Sequence, residues 1–234
     1  MQIVVNHLTR MTSGFMCVAG LNPENLTQVR LTLSGARLTT ALLRRHGGPI
    51  DMAVSLSLGS PTPTPSRPEV EDHVIDPSKI KAEKTLGADK FWDLLRQVAV
   101  PKLSTIFGPD LKMRGSESCG VDVGAGQASL GCLVPATSCN LYVEEKMGGR
   151  PKVRIEISDG TLGLDLGVTD LRVYEGDHVT VSESTVKSVG KRLKSGVGVI
   201  LSVGLTRPFP PTAPLHWLQC NNIHLEDDPT WQLG

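Results

Sequence analysis

The sequence predicts a mainly β protein with short helices, an α+β chain of two strand-rich units joined by a helical segment. Three observations predict it. Short alternations of apolar and polar residues, the period-two signature of a half-buried strand, occupy the chain up to Leu58 and return from about residue 115. Between them the apolar residues repeat at helical spacing. Turn residues separate most of the short segments.

In chain order, "QIVV" opens the first unit and "FMCVA" follows a turn at Gly14. "TQVRLTL" sets Val29, Leu31 and Leu33 against Gln28, Arg30 and Thr32, so Arg30 faces away from the apolar side. "SGARLTTALLRRHGG" changes period. Leu38, Ala41 and Leu42 fall at helical spacing, Arg44 and Arg45 in the last turn, and Gly47 supplies a stop, which predicts a short helix. "MAVSLSL" then places Met52, Val54, Leu56 and Leu58 on one strand face. Four prolines between Pro61 and Pro68 cannot pair along a central strand and predict a stiff, extended surface loop.

The middle reads as two helices. Asp76 sits at a cap position and Pro77 in a first turn ahead of "SKIKAEKTLG". "ADKFWDLLRQV" aligns Phe91, Leu94, Leu95 and Val98 on one stripe, with Phe91 and Trp92 as packing anchors, and Pro101 ends it. The second unit offers "SLGCLVP", "NLYVEE", "KVRIEI", "LGLDLGV", "HVTVS", "GVILSVGL" and "HWLQC" as strands. One short helix interrupts them, "ESTVKSVGKRLKSG", with Val186, Val189 and Leu193 inward and Lys187, Lys191, Arg192 and Lys194 outward. Short strands closing on themselves with one small helix per unit suit barrels of the OB kind. The expected plan is two tandem OB-like barrels, residues 1–76 and 115–234, with a helical bridge over 77–114. Two β-sandwiches are the main alternative.

Chemistry-bearing motifs are sparse. "RPEVEDHVIDP" and "CNNIHLEDDP" each set acidic residues beside a His and ahead of a Pro. Metal binding would need ligands converging from separate elements, because neighbours on a strand point to opposite faces. A carboxylate accepting backbone N–H bonds at a turn is the simpler reading. The five cysteines include no CxxC pair and read as reduced, buried thiols. "GVDVGAGQASLG" lacks the Lys-Ser/Thr ending of a phosphate loop and opens into a strand, so it reads as a turn. GxSxG, HExxH and P-loop motifs are absent. Neither a catalytic residue, a metal site nor a cofactor is assigned.

Charge and aromatic content narrow the partners. The 24 basic residues balance 24 acidic ones and aromatics make up 4%, which argues against non-specific coating of single strands. Local phosphate contacts remain open to Arg10, in the loop after the first strand, to Arg30, to Arg207 in "GLTRPF", and to Lys187, Lys191, Arg192 and Lys194. Asn221 and Asn222 could read base edges or cap a turn. No apolar run reaches the eighteen or so residues of a membrane span, and no secretion signal opens the chain, so the cytoplasm is expected.

"IVVNHLTRM", "GFMCVAG", "LLRRHGGPIDMAVSLSLG", "PEVEDHVID", "GVTDLRVYE", "ILSVGLTRPF" and "HWLQCNNIHLEDDP" together resemble the bacterial dual OB-fold domain proteins, along nearly the whole chain. That resemblance implies paired OB-like barrels, association with defence and conflict systems, and nucleic-acid or nucleotide binding beside a separate effector. It implies no catalytic residue. It also suggests that "VEDHVID" and "NNIHLEDD" are related endings of two duplicated units. The expected function is therefore non-enzymatic recognition of nucleic acid or a nucleotide. The rival is an interaction scaffold that docks a co-encoded effector protein through loops or an open strand edge.

Overall fold

A computed structural model describes residues 1–145 and 149–231, so the last three residues of the expected second unit lie outside the described part. The chain is mainly β, with 41% strand, 19% helix and three α-helices among the described residues. One of its several sheets curls into a half-barrel.

The first unit is one mixed sheet. Strands β1 (Gln2–Arg10), β2 (Met16–Leu21) and β3 (Gln28–Thr32) form an antiparallel meander. β4 (Val54–Ser57) joins the free side of β1, and β5 (Thr62–Pro63) and β6 (Asp72–Val74) extend the other side beyond β3. β7 (Lys81–Thr85) pairs with β4 and completes the order β5-β6-β3-β2-β1-β4-β7. Residues 81–85 were expected as helix. Their helix-forming Lys, Ala and Glu side chains are all exposed, so the available edge of β4 rather than an amphipathic face decides their conformation. Only a single 3-10 turn, Pro77–Lys79, remains of that helix, capped by Asp76 accepting from the Ser78 N–H at 2.9 Å.

The helix expected over 38–46 is instead two 3-10 turns, Thr40–Leu42 and Arg44–His46. Leu38 and Leu43, five residues apart, are buried while Ala41 is exposed, so the buried side chains do not form one helical stripe. Gly47 does end the second turn, at φ 87°, a conformation that a side chain would disfavour. The proline-rich segment supplies the outermost strand, where missing N–H donors cost least.

Helix α1 (Ala88–Val98) follows its predicted stripe, with Phe91, Trp92, Leu94 and Leu95 buried. β8 (Ala99–Val100), α2 (Leu103–Phe107) and β9 (Lys112–Met113) lead into the second unit. There β10 (Cys119–Asp122), β11 (Leu130–Leu133), β12 (Asn140–Glu144), β13 (Lys152–Ser158), β14 (Gly163–Gly167), helix α3 (Glu183–Lys194), β15 (Val199–Leu205) and β16 (Leu215–Leu225) follow. They make a six-stranded sheet, β8-β11-β15-β16-β10-β9, and a three-stranded sheet, β12-β13-β14. "HVTVS", expected as a strand, is a turn closed by a Tyr174–Val181 bridge. α3 forms as predicted, with Val186, Val189 and Leu193 buried.

Two hydrophobic cores result. One gathers residues from Ile3 to Leu95, with Cys132, Leu171 and Ile200; the other gathers residues from Leu103 to Trp231. Fully burying a Phe such as Phe91 makes truncation to Ala worth about 3–5 kcal/mol. Phe91 also meets the His224 ring edge to face at 5.5 Å, so α1 touches both units. Four of the cysteines are buried. Burial pushes the thiols of Cys119 and Cys132 up to about 11 and of Cys139 to about 12, which suits packing rather than reactivity.

Candidate functional site

The units meet along a polar seam. Register places His7, Ala19, Arg30 and Asp72 in one row across β1, β2, β3 and β6, on the face opposite Leu8, Val18 and Leu31. The alternation read from the sequence is correct. Its polar face, however, meets the second unit and not water, so Arg30 is only 4% exposed. Arg30 Nε donates to Asp72 at 2.5 Å, and the other Asp72 oxygen accepts from Arg207 at 2.6 Å. Arg207 also lies 3.1 Å from Glu69, which in turn approaches His216. Arg30 and Arg207, both expected to reach phosphates, are thus engaged by carboxylates.

Neighbouring contacts extend the seam. The Asn222 carboxamide brackets the Leu8 backbone, accepting from its N–H at 2.7 Å and donating to its carbonyl at 3.1 Å. Asn221 is the extra residue where β16 bulges against β15, and its amide lies 3.0 Å from His7 Nδ1. Gly204 opposite makes room, since a Cβ there would collide with the Asn221 amide. Neither asparagine is open to a base edge. Glu71 accepts from the Ser129 and Leu130 N–H groups and from the Ser129 hydroxyl. Asp170 and Arg172 form a buried pair that also holds Ile223 and Trp231. Burial, and then the neighbouring charges, lower both His7 and His224 to about 3, so both are neutral near pH 7. The seam is incompletely satisfied: among the described residues His7 Nε2 and Arg30 Nη2 lack a hydrogen-bond partner, at about 1–3 kcal/mol each.

The acidic clusters that stood out in the sequence are accounted for by these contacts. Glu71 and Asp72 tie the units together. Asp227 pairs with Arg192 of α3, and His73 lies 2.8 Å from the Glu71 carbonyl. Among the described residues no group of three His, Cys, Asp or Glu side chains is placed to hold a metal ion.

A different constellation opens where the 43–51 segment faces the 171–178 segment. A cleft of about 200 Å³ is lined by Leu8, Leu43 and Leu171, by Arg44, Arg45 and Asp51, and by the buried Arg172, while His46 and His178 lie beside it rather than in its lining. Arg45 reaches across to His178, 2.5 Å from its Nδ1, and His46 Nε2 lies 3.5 Å from His178 Nε2. Arg10 donates to the His178 carbonyl at 3.0 Å and stacks over Tyr174 at 4.1 Å. A tight turn holds His178 in place, with Asp177 accepting from the Val179 and Thr180 N–H groups. Burial, then Arg45 and His46, lower His178 to about 4. Among the described residues Arg10, Arg44 and Arg45 have no carboxylate at ion-pair distance.

No protein-family model, no curated protein and no solved structure matches this chain.

Of the residues singled out from the sequence, Arg10 alone borders this constellation. Lys187, Lys191 and Lys194 are exposed on α3, while Arg192 is half-buried against Asp227. Sequence reasoning missed Arg44, Arg45, His46 and His178 as a group. "LLRRHGG" carried a signal, three consecutive basic side chains before a Gly pair, but its partner His178 lies more than a hundred residues away.

Proposed function

We propose that the protein is a non-enzymatic module that binds nucleic acid or a nucleotide through paired OB-like units, working in the bacterial cytoplasm beside a defence effector. The observation that carries the binding reading is the junction cleft, where Arg44 and Arg45 share the lining with apolar side chains and Asp51 is the one acidic lining residue among those described. Cationic groups lacking a carboxylate are available to phosphate oxygens, and apolar side chains can take the flat face of a base or sugar. The resemblance to dual OB-fold domain proteins supports the paired-unit architecture and the defence setting.

At the two edges of the seven-stranded sheet the scaffold reading fares less well. β7 carries exposed Lys81 and Lys84, and β5 lies in the proline-rich run; both features discourage an added strand. Among the described residues no helix is long and apolar enough to cross a membrane.

A salt titration of binding to labelled single-stranded and duplex DNA and RNA tests the proposal. Affinity in the micromolar range or tighter should fall steeply with salt, and Arg44→Ala or Arg45→Ala should each lower the log–log slope by roughly one. No binding at low salt would sink it. Salt-resistant binding that requires a second protein would favour the scaffold instead.

A further inference from the structure

We infer that Arg45, His46 and His178 form a subsite for a phosphate monoester, the terminal phosphate of a strand or of a nucleotide, rather than for an internal phosphodiester. The inference rests on the nucleic-acid or nucleotide reading and names the chemical group that the cluster beside the cleft, which shares Arg45 with it, selects.

Two separate turns bring three nitrogen-bearing side chains together. Arg45 contacts His178 at 2.5 Å, and the facing His46 and His178 Nε2 atoms are 3.5 Å apart. His178, held at about 4 by burial, Arg45 and His46, is neutral near pH 7 and can accept from Arg45, so the guanidinium keeps its charge here with no carboxylate at ion-pair distance among the described residues. The surroundings supply little compensation. Asp177 spends its oxygens on the Val179 and Thr180 N–H groups and the Thr180 hydroxyl. Asp51 lines the cleft beyond ion-pair distance of Arg45, and Arg172 is already paired with Asp170. Arg10 adds a further positive charge on the carbonyl side of His178.

Charge and the number of acceptor oxygens select the monoester. A terminal phosphate carries about −1.5 to −2 at pH 7 and offers three acceptor oxygens. A diester carries about half that charge and has only two free oxygens. One guanidinium and two imidazoles match the three-oxygen dianion, and its field would favour protonated His178, reversing the effect of burial and of Arg45.

The test uses the full chain and four probes: one single-stranded oligonucleotide with a 5′-phosphate or a 5′-hydroxyl, and a nucleoside 5′-monophosphate with its parent nucleoside. The phosphorylated member of at least one pair should bind about tenfold tighter, the worth of one charge-assisted hydrogen bond. A preference within the oligonucleotide pair identifies a strand end, and one confined to the small molecules identifies a nucleotide. In His46→Gln and in Arg45→Gln, both at exposed positions, the ratio within that pair should fall towards one. Equal binding of phosphorylated and unphosphorylated probes would overturn the subsite while leaving the broader reading in place. An undiminished ratio in both variants would overturn it too. Failure of all four probes to bind would overturn the subsite, and the salt titration with single-stranded and duplex nucleic acids would then decide the broader reading.

Discussion

Arginines on two sides of the same junction keep opposite company. At the seam Arg30, Arg172 and Arg207 each meet a carboxylate, and two of the three are almost fully buried. At the cleft Arg10, Arg44 and Arg45 meet none among the described residues, and their nearest polar neighbours are His178, Thr85 and a carbonyl. The seam follows the rule that a charge withdrawn from water needs a partner. The cleft, still open to water, keeps charges that a ligand can use. The same residue type therefore holds the units together on one side and stands available on the other.

Acid should separate the two regions most sharply. His7 and His224 are held at about 3 in the folded chain and return to about 6.5 when it unfolds, so the unfolded chain binds more protons between those values. Stability is complete above pH 6.5 and drains away as the pH falls towards 3. Urea unfolding across that window checks it; a flat profile would mean that the seam histidines are not buried as described. Next in size, Asp72→Ala leaves the Arg30 charge buried and unpaired, at about 3–5 kcal/mol by denaturant unfolding. Glu71→Ala, which strips acceptors from Ser129 and Leu130, should cost on the order of 3 kcal/mol.

Substitutions at the cleft should do the reverse. Arg45→Ala is expected to change stability by less than about 0.5 kcal/mol while weakening binding. A loss of several kcal/mol in stability would move Arg45 to the structural side of the comparison. Smallest of all, Lys187→Ala or Lys194→Ala on the solvated face of α3 should leave stability alone and reduce the salt slope by no more than about one. An unchanged slope would remove that helix from the interface.

Particular elements show where the sequence could be read and where it could not. The α1 and α3 stripes and the Asp76 cap involve residues within a few positions of one another, and all appear in the structure. The Met52–Leu58 alternation holds only in part, because the strand is Val54–Ser57, Met52 and Ala53 form a turn, and Ala53 and Ser55 on the expected outer face are buried. The segments at 38–46 and 81–85 misled, because their helical spacing and propensity yielded to 3-10 turns and to a strand edge supplied from elsewhere. The site suffered in the same way. Arg30 was correctly placed opposite the apolar face, yet nothing local said that a second unit covers that face.

By itself the sequence determined the mainly β character, the two helices whose stripes are written into adjacent turns, and which side chains share a face in alternating strands such as β3, β13 and β14. These are properties of neighbouring side chains and backbone dihedrals. The tertiary structure alone decided which arginines are neutralised. Arg30 finds Asp72 at a separation of 42 residues and Arg207 finds it at 135, whereas Arg45 meets His178, 133 residues away. Whether a charge is a clamp or a contact for a ligand depends on which oxygen lies a few ångströms from it in space, and the spacing of residues along the chain does not carry that information.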